Sequence, residues 1–367
     1  MPSRRTGKEG TAPVCLGTGL IALDVVTNGD GMQAPRLWAG GSCGNVMTVL
    51  AYLGWQALPV GRLGKDGAAK LVADDMRQHE VDLKYVTYDE RVDTPIILEK
   101  IFTSAHGMPS HRFHWVCPQC GNWLPRYRPI RLRDISEASI ELREESVDCF
   151  YFDRVSPAAL RMAREAKARG VLVVFEPPSV KGDDQFKKAV GLCDVLKYAG
   201  GGRACSSGRA HNSSAPIVVE TLGAEGLRYR IRRGARRTEW KVLEAFHVSS
   251  FRDAAGAGDW CSAGMIDVLV GSEIAARPNV KEEGLVKALR YGQALSALNC
   301  AFDGARGAMY GLDKASFGRH MEAILDRKEA VSAHCDGVSA EAKQAVRCIC
   351  PRCKEHARSP SAKKGRM

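Results

Sequence analysis

The amino-acid sequence predicts an α/β protein in which helices cover both faces of a mainly parallel central sheet. Short apolar, β-branched segments alternate along the chain with longer segments whose apolar residues recur at the helical period. The chain has 367 residues, 45% of them hydrophobic and 26% charged, which is ordinary for a globular protein. A chain of this length buries a large core, either in one large domain or in two.

The expected elements follow one another in the order that such a sheet requires. Continuous apolar runs predict buried strands at residues 14–20, 56–61, 147–152, 171–175, 195–196 and 216–221. Amphipathic or apolar stretches predict helices at residues 45–52, about 66–79, 157–169, about 260–270, 280–299 and 314–330. Glycine and serine are frequent at residues 200–214, so we expect a loop there.

Residues 253–264 carry the most informative motif, a turn of small residues between a strand-like stretch at 246–251 and an apolar helix. Gly256 and Gly258 let a ligand approach the backbone, and the helix start directs N–H groups toward it, as in anion sites. Asp259 places a carboxylate beside this site, where it can take a proton from an attacking hydroxyl group. These features favour a small-molecule kinase. The alternative for Asp259 is a helix N-cap.

The order and spacing of this motif resemble the second signature of the ribokinase-like, phosphofructokinase-B (PfkB) family of carbohydrate kinases, Asp-Thr-x-Gly-Ala-Gly-Asp. The resemblance implies a ribokinase-like three-layer sandwich with a mainly parallel central sheet and a β lid. It implies that Asp259 is the catalytic base. It also implies that the amides of Gly256, Ala257 and Gly258 hold the transferring phosphoryl group.

Two upstream segments resemble the substrate half of the same family. Residues 17–24 read as a strand that ends in an acid, and the family's acid holds two substrate hydroxyls, which implies this role for Asp24. Residues 39–45, followed by an apolar helix and by residues 60–66, resemble the first family signature. By this resemblance Gly40 and Gly41 let the substrate lie against the backbone, and Asn45 hydrogen-bonds it.

Two downstream segments resemble the nucleotide half of the family. Residues 218–226 resemble the strand and turn that contact the nucleotide phosphates, which implies Thr221, Gly223 and Gly226 as contacts. Taken alone, this segment is also typical of a β-hairpin. Residues 294–299 and 304–308 resemble the helix and loop beside the adenine, which makes Asn299 a nucleotide-site candidate. The family relationship therefore implies ATP as phosphate donor.

The chain departs from the family pattern at positions that organise metal ions. The family's Asn-x-x-Glu motif, which organises magnesium, aligns with Ala199 and Gly202, while Glu176 offers a nearby carboxylate. Ala254 and Ala255 replace the signature threonine, which puts an activating monovalent-cation site around Asp253 in doubt. Magnesium bound mainly to the ATP phosphates remains compatible with catalysis.

A second motif predicts a structural zinc site. Cys117-Pro-Gln-Cys120-Gly and Cys350-Pro-Arg-Cys353 have the spacing of zinc knuckles, and two knuckles supply four thiolates, which leave no open position for water. The alternatives are unlinked thiols or a disulfide. The chain has 13 cysteines, and many lie singly in apolar runs, as buried reduced thiols do. Reserve ligands are His111, His114, His334, Cys335 and His356.

The formal net charge of +11 is concentrated in the two termini and in residues 228–237. This basic segment predicts a solvated hairpin with Gly234 at its turn, and the alternative is a surface for phosphates or nucleic acid. No stretch approaches the roughly 20 apolar residues of a membrane span, and the polar N-terminus lacks a signal-peptide core. We therefore expect a cytoplasmic protein without membrane contact.

These observations predict a kinase domain at residues 13–330 between disordered basic tails at 1–12 and 357–367. A lid and zinc-knuckle insert is expected at about 94–130, and a C-terminal segment with the second knuckle at 331–356. The predicted function is ATP-dependent phosphorylation of a hydroxymethyl group on a sugar, nucleoside or similar polyol. The alternative is a weakened or retired kinase that binds nucleotide or nucleic acid as a regulatory module. A homodimer formed through the lid is a further possibility that the resemblance implies.

Overall fold

The computed structural model describes residues 11–28, 35–104, 107, 109–139, 147–180, 182–200, 213–270, 281–326 and 350–353. The predicted tails lie almost entirely outside these ranges, as do most of the predicted loop at 200–214 and most of the C-terminal segment at 331–356. Within these ranges no helix is both long enough and apolar enough to cross a membrane.

Strands and helices are numbered here in chain order. The strands are β1 (Val14–Thr18), β2 (Ala22–Asn28), β3 (Arg36–Gly40), β4 (Gln56–Gly64), β5 (Val86–Asp89), β6 (Ile96–Thr103), β7 (Pro109–His114), β8 (Cys149–Phe152), β9 (Leu172–Phe175), β10 (Val195–Ala199), β11 (Ile217–Thr221), β12 (Leu227–Arg233), β13 (Arg236–Arg237) and β14 (Lys241–Leu243). The helices are α1 (Ser42–Tyr52), α2 (Gly67–Gln78), α3 (Pro157–Ala168), α4 (Asp184–Leu192), α5 (Ala257–Val270), α6 (Glu282–Asn299), α7 (Gly307–Gly311) and α8 (Lys314–Leu325).

The central sheet confirms the predicted parallel architecture. Its strands lie in the order β13-β12-β11-β10-β9-β8-β1-β4-β5, with β14 beside β12. Every pair from β11 through β5 is parallel, and only the pairs that involve β12 are antiparallel. The hairpin of β12 and β13 turns at Gly234, as the basic segment predicted.

Two hydrophobic cores lie on opposite faces of this sheet, because successive strand residues point to opposite sides. In β1, for example, Cys15 belongs to the core under α1, α2, α5, α6 and α8, whereas Leu16 belongs to the core under α3 and α4. The strands in the middle of the sheet are therefore mostly apolar, as expected for a sheet that is covered on both faces. This arrangement confirms the three-layer sandwich.

The lid is a separate four-stranded sheet in the order β3-β2-β6-β7. We expected the lid in residues 94–130 alone, but two of its strands come from residues 22–40, before α1. The prediction that Asp24 ends the first strand was therefore wrong. The first strand stops at Thr18, Gly19 turns the chain at φ +154°, and Asp24 lies inside lid strand β2.

The predicted strand at residues 246–251 was also wrong. Its apolar side chains Phe246 and Val248 pack against the core, but the segment pairs with no neighbouring strand. Just beyond it, the amides of Arg252 and Asp253 donate to Cys300 O at 2.8 and 3.3 Å, at the end of α6. The helix that follows begins at Ala257, three residues earlier than predicted, so Asp259 lies in its first turn. The last helix ends at Leu325 rather than at 330.

Helices α5 and α6 cross at two glycines whose backbones approach too closely for side chains. A Cβ atom on Gly292 would lie 2.4 Å from Cys261 O, and a Cβ atom on Gly264 would lie 2.8 Å from the Gly292 Cα. This close approach determines where α5, and with it Asp259, lies above the sheet.

Gly292→Ala is expected to lower the free energy of unfolding by about 1–3 kcal/mol, because neither helix backbone can move away cheaply. The control is Gly191→Ala in α4, where an added Cβ meets no atom within 4 Å. There alanine should stabilise the helix by up to about 1 kcal/mol. Urea unfolding of both variants measures the two changes in the free energy of unfolding. Two changes of the same sign would contradict the prediction.

Candidate active site

Charged side chains from several parallel strands meet at the carboxyl edge of the central sheet, where open α/β sheets commonly bind ligands. Asp153 follows β8, Glu176 follows β9, and Lys197 lies within β10. The first turn of α5, with Asp259, lies over this edge, because Lys197 Nζ donates to Gly258 O at 3.0 Å. The structure therefore brings the predicted signature to the site.

The start of α5 has two features that are expected of an anion hole. Gly256 has φ +70°, and a Cβ atom there would lie 2.2 Å from Ala305 O, so only glycine fits. Ala257 is the first residue of α5, and the first-turn N–H groups of a helix have no acceptor within the helix. The Ala257 N–H donates to Ala254 O at 3.2 Å, whereas Gly258 lies one residue further into this helix start, a position that favours a phosphoryl group.

Asp259 is held by a side chain from the substrate half of the chain. Asn45 Nδ2, in the first turns of α1, donates to Asp259 Oδ2 at 2.7 Å. Burial raises the pKa of Asp259 well above its ordinary value, and the charge of Glu176 adds to this, while Asn45 and Lys197 oppose it. A carboxylate whose pKa is raised is a stronger base than a solvated aspartate. Asn45 therefore touches the candidate base directly.

A buried ion pair that sequence reasoning missed lies beneath the anion hole. Lys197 is almost fully buried, and its Nζ contacts Glu176 Oε1 as well as Gly258 O. Glu176 Oε2 accepts from the hydroxyls of Tyr151 and Ser262. Both carboxylate oxygens of Glu176 therefore accept hydrogen bonds, and the side chain forms an ion pair with Lys197. The only sequence signal was a lysine inside an otherwise apolar strand.

The predicted substrate glycines lie directly against Asp24. A Cβ atom on Gly40 would lie 1.9 Å from Asp24 Oδ2, and Gly41, at φ +78°, would meet Leu20 O at 2.5 Å. Burial raises the pKa of Asp24 to about 7, although Arg306 opposes the rise. Arg306 is itself buried, and its NH2 group contacts Ala39 O and Asp75. Sequence reasoning did not identify Arg306.

Some polar atoms of this site lack partners among the residues that the structure describes. Asp24 Oδ1 and Asn45 Oδ1 are buried without a donor, and Arg306 Nε and NH1 are buried without an acceptor. Buried polar atoms are normally hydrogen-bonded, so these unmatched atoms are candidate ligand contacts, and the amide of Asn45 also contacts the candidate base.

The residues predicted to contact the nucleotide lie at two places. Thr221 ends β11, and Gly223 and Gly226 have positive φ angles of 62° and 100° around a short 3-10 turn. Asn299 is fully buried, and its side chain bonds to the backbone of Ala255 and of residues 304, 305 and 308. Asn299 therefore positions the loops around α5.

Of the aligned Asn-x-x-Glu positions, Ala199 ends β10, and Gly202 lies outside the described residues.

The two cysteine knuckles, which are about 230 residues apart in the sequence, come together in space. Cys117 Sγ lies 3.7 Å from Cys353 Sγ, and Cys120 Sγ lies 3.8 Å from Cys350 Sγ. The first knuckle is a tight turn in which Gly121, at φ +71°, donates to Cys117 O at 2.9 Å. Of the reserve ligands, His111 contacts Asp253 instead, at 2.7 Å. His334, Cys335 and His356 lie outside the described residues.

Part of the basic hairpin is explained by packing against its own sheet. Arg228 pairs with Glu220, and the guanidinium groups of Arg228 and Arg230 lie over the ring of Trp240 at 4.7 and 4.6 Å. The remaining arginines, at 232, 233, 236 and 237, are largely exposed at the sheet edge. Their exposure is what the solvated-hairpin prediction requires.

Comparison with known proteins shows similarity between this chain and carbohydrate kinases. A sequence model for "pfkB family carbohydrate kinase" matches residues 14–114. A plant protein named "Probable fructokinase-2" (Arabidopsis thaliana) is 23% identical over 74% of this chain and 83% of its own length. An ATP-dependent ribose-1-phosphate kinase from Halopiger xanaduensis is 25% identical over 78% of this chain and 90% of its own.

Solved structures share the whole fold. The aminoimidazole riboside kinase of Salmonella enterica superposes with a TM-score of 0.62 at 16% identity, covering 84% of this chain and 99% of the other. A sugar kinase of Pyrococcus horikoshii in complex with ATP gives a TM-score of 0.61 at 16% identity, with the same coverage. At these identities the likeness establishes the fold.

The raised pKa of Asp24 predicts a pH-dependent stability. The unfolded aspartate ionises near pH ~3.9, whereas the folded group ionises only near pH 7. Burying the ionised form of Asp24 costs free energy. This cost is absent below pH ~3.9, where the group is protonated in both states, and it lowers the free energy of unfolding as the pH rises from there to about 7. Asp24→Asn should gain stability relative to wild type across this window, by on the order of 3 kcal/mol at pH ~7.5.

Urea unfolding of both proteins between pH 4 and 8 checks the sign. The amide keeps an oxygen acceptor, so differences in packing add a constant that does not vary with pH. If the free energies of unfolding of Asp24→Asn and wild type differ by the same amount over this range, Asp24 is ionised normally in the folded protein.

Proposed function

We propose that this chain, which belongs to the pfkB family of carbohydrate kinases, transfers the γ-phosphoryl group of ATP to a hydroxymethyl group of a sugar-like or nucleoside-like acceptor. The family and both curated relatives support a phosphotransferase with an alcohol group as acceptor. The observation that carries the proposal is the contact of Asn45 with Asp259 at the start of α5.

Asp259 is the proposed general base. It lies in the first turn of α5, so an acceptor hydroxyl beside it faces the helix amides that would hold the phosphoryl group. As the hydroxyl oxygen attacks phosphorus, its proton passes to the Asp259 carboxylate, and ADP leaves with the electrons of the broken bond. The amides at 256–258 stabilise the charge on the phosphoryl oxygens. Lys197, 3.0 Å from Gly258 O, adds positive charge below them.

The acceptor is proposed to be an uncharged polyol. Asp24 Oδ1 and Asn45 Oδ1 are buried acceptors of hydrogen bonds that lack donors among the described residues, and hydroxyl groups supply such donors. Negative charge does surround the candidate base: after burial, the charges of Glu176 and Asp153 raise the pKa of Asp259 further. A phosphorylated acceptor would meet repulsion from these carboxylates, whereas a neutral sugar or nucleoside would not.

Magnesium is proposed to arrive with ATP, bound mainly to its phosphates. Glu176 lies close to the start of α5, because a Cβ atom on Gly258 would lie 3.5 Å from its Oε1, and its oxygens accept from Lys197, Tyr151 and Ser262. Glu176 therefore does not fit the role of an additional magnesium ligand that the sequence suggested. In this proposal Lys197 neutralises charge where the family's Asn-x-x-Glu motif would organise metal.

We further propose that Cys117, Cys120, Cys350 and Cys353 hold one structural zinc ion. Zn–S bonds of about 2.3 Å in a tetrahedron place the sulfur atoms about 3.8 Å apart. The two measured separations, 3.7 and 3.8 Å, fit this value and are far longer than a disulfide bond of about 2.05 Å. Zinc would tie the C-terminal segment to the insert beyond lid strand β7.

Asp259→Asn should reduce turnover by about 100-fold or more without loss of folding, because the amide cannot accept the proton. The measurement is phosphate transfer from ATP with magnesium across a panel of sugars and nucleosides. Asp267→Asn is the matched control, since this buried aspartate of the same helix bonds Trp55 Nε1 at 2.9 Å, away from the anion hole. Normal turnover by Asp259→Asn would remove Asp259 as the base.

Cys350→Ser should abolish stoichiometric zinc binding, because three thiolates hold zinc far less tightly than four. Metal content by atomic emission should fall from about one zinc per chain to a small fraction. Limited proteolysis near residues 109–130 should accelerate. Cys193→Ala, which removes a buried thiol from the opposite core, is the control and should keep its zinc. Zinc-free wild-type protein with the same proteolysis pattern would contradict the proposal.

A further inference from the structure

A second group of metal-ligating side chains lies between the lid and the core. It consists of Glu99 on lid strand β6, His111 on lid strand β7 and Asp253 before α5. One ligand atom from each residue lies within 4.8 Å of the other two. In the ladder of β6 and β7, His111 pairs with Ile101, two residues along from Glu99. Both side chains therefore project from the same face of the lid sheet.

Asp253 is fixed in this group by the backbone of two loops. Its Oδ1 accepts from Ala255 N at 3.0 Å, and its Oδ2 accepts from Gly304 N at 2.9 Å. His111 Nδ1 lies 2.7 Å from Asp253 Oδ1. Asp253 is fully buried, so both the carboxylate and the imidazole are positioned before any ligand arrives.

Glu99 is the member of the group for which the described residues supply no hydrogen-bond donor. Its side chain is 0% exposed, and neither carboxylate oxygen has a hydrogen-bond donor among the described residues. A buried carboxylate in such surroundings requires either a proton or a cation.

The arginines nearby form ion pairs with two other carboxylates. Arg252 binds Asp303 through two nitrogens, at 2.8 and 3.1 Å, and Arg36 lies 3.4 Å from the same side chain. Arg306 contacts Asp75 and opposes the charge of Asp24. These arginines therefore pair with Asp303 and Asp75 rather than with Glu99 or Asp253. The group itself contains two carboxylates and one imidazole.

We propose that Glu99, His111 and Asp253 bind one divalent transition-metal ion. An imidazole and two carboxylates form a donor set that suits manganese, and it differs from the four-thiolate cluster. The ion would join two lid strands to the segment that leads into the anion hole, since Asp253 lies three residues before Gly256. It would thus hold the lid over the acceptor side of the site. The binding itself is independent of the proposed kinase activity.

The experiment is titration of the zinc-loaded full chain with Mn²⁺ in the absence of nucleotide, followed by electron paramagnetic resonance. We expect one bound Mn²⁺ per chain with a hyperfine coupling from one histidine nitrogen. His111→Gln should remove this coupling, and Glu99→Gln should weaken binding by at least about tenfold. Asp259→Asn should bind Mn²⁺ as the wild type does, which separates this site from the anion hole.

Thermal unfolding supplies a second measurement that does not depend on spectroscopy. Mn²⁺ should raise the melting temperature of wild type and leave that of Glu99→Gln unchanged, because a ligand stabilises only the state that binds it. Equal Mn²⁺ affinity in wild type and Glu99→Gln, or no metal beyond the cysteine-bound zinc, would overturn the proposal. Either result would assign Glu99 a proton shared with Asp253. Neither would bear on phosphate transfer, which is assayed separately with ATP.

Discussion

The backbone contact between the turn before α5 and the loop at 304–306 is the constraint on which the rest of this site depends. A single Cβ atom at Gly256 would overlap Ala305 O, and Asn299 ties the same two loops together through both ends of its amide. This contact directs the start of α5 toward the carboxyl edge of the sheet. Asp259 then meets Asn45, although the two residues are 214 positions apart.

Buried charge is the second organising feature. Asp24, Asp153 and Asp259 are withdrawn from water, and desolvation raises the pKa of all three. Lys197 and Arg306 are the buried cations that oppose this accumulation of negative charge, and each also bonds a backbone carbonyl. Such a site costs stability in the free protein, and a polyol acceptor with hydroxyl donors would recover part of that stability by binding.

The lid is held to the core by contacts of two different chemical kinds. Four sulfur atoms gather where the insert after β7 meets residues 350–353, and a buried acid–imidazole group lies where β6 and β7 face Asp253. In our proposals both groups bind metal ions. The lid would then be fastened at two points, which differs from a lid that closes by side-chain packing alone. Its fixed position would limit the size of acceptor that the site admits.

The sequence by itself determined the mainly parallel sheet covered by helices on both faces, the small-residue motif at 253–259 and the two cysteine knuckles, because each rests on local spacing or periodicity. The resemblance to a known family implied Asp24, Gly40 and Gly41 as substrate contacts, and the structure showed that Gly40 lies against Asp24. Tertiary structure alone decided that Asp24 belongs to a lid strand, that Lys197 pairs with Glu176, and that Glu99 faces His111 and Asp253. The segment at 246–251 was mistaken for a strand because apolar residues at alternate positions, here Phe246 and Val248, can pack against a core without pairing in a sheet. Contacts of this kind depend on strand order and on how two sheets face each other, and short-range sequence patterns do not contain that information.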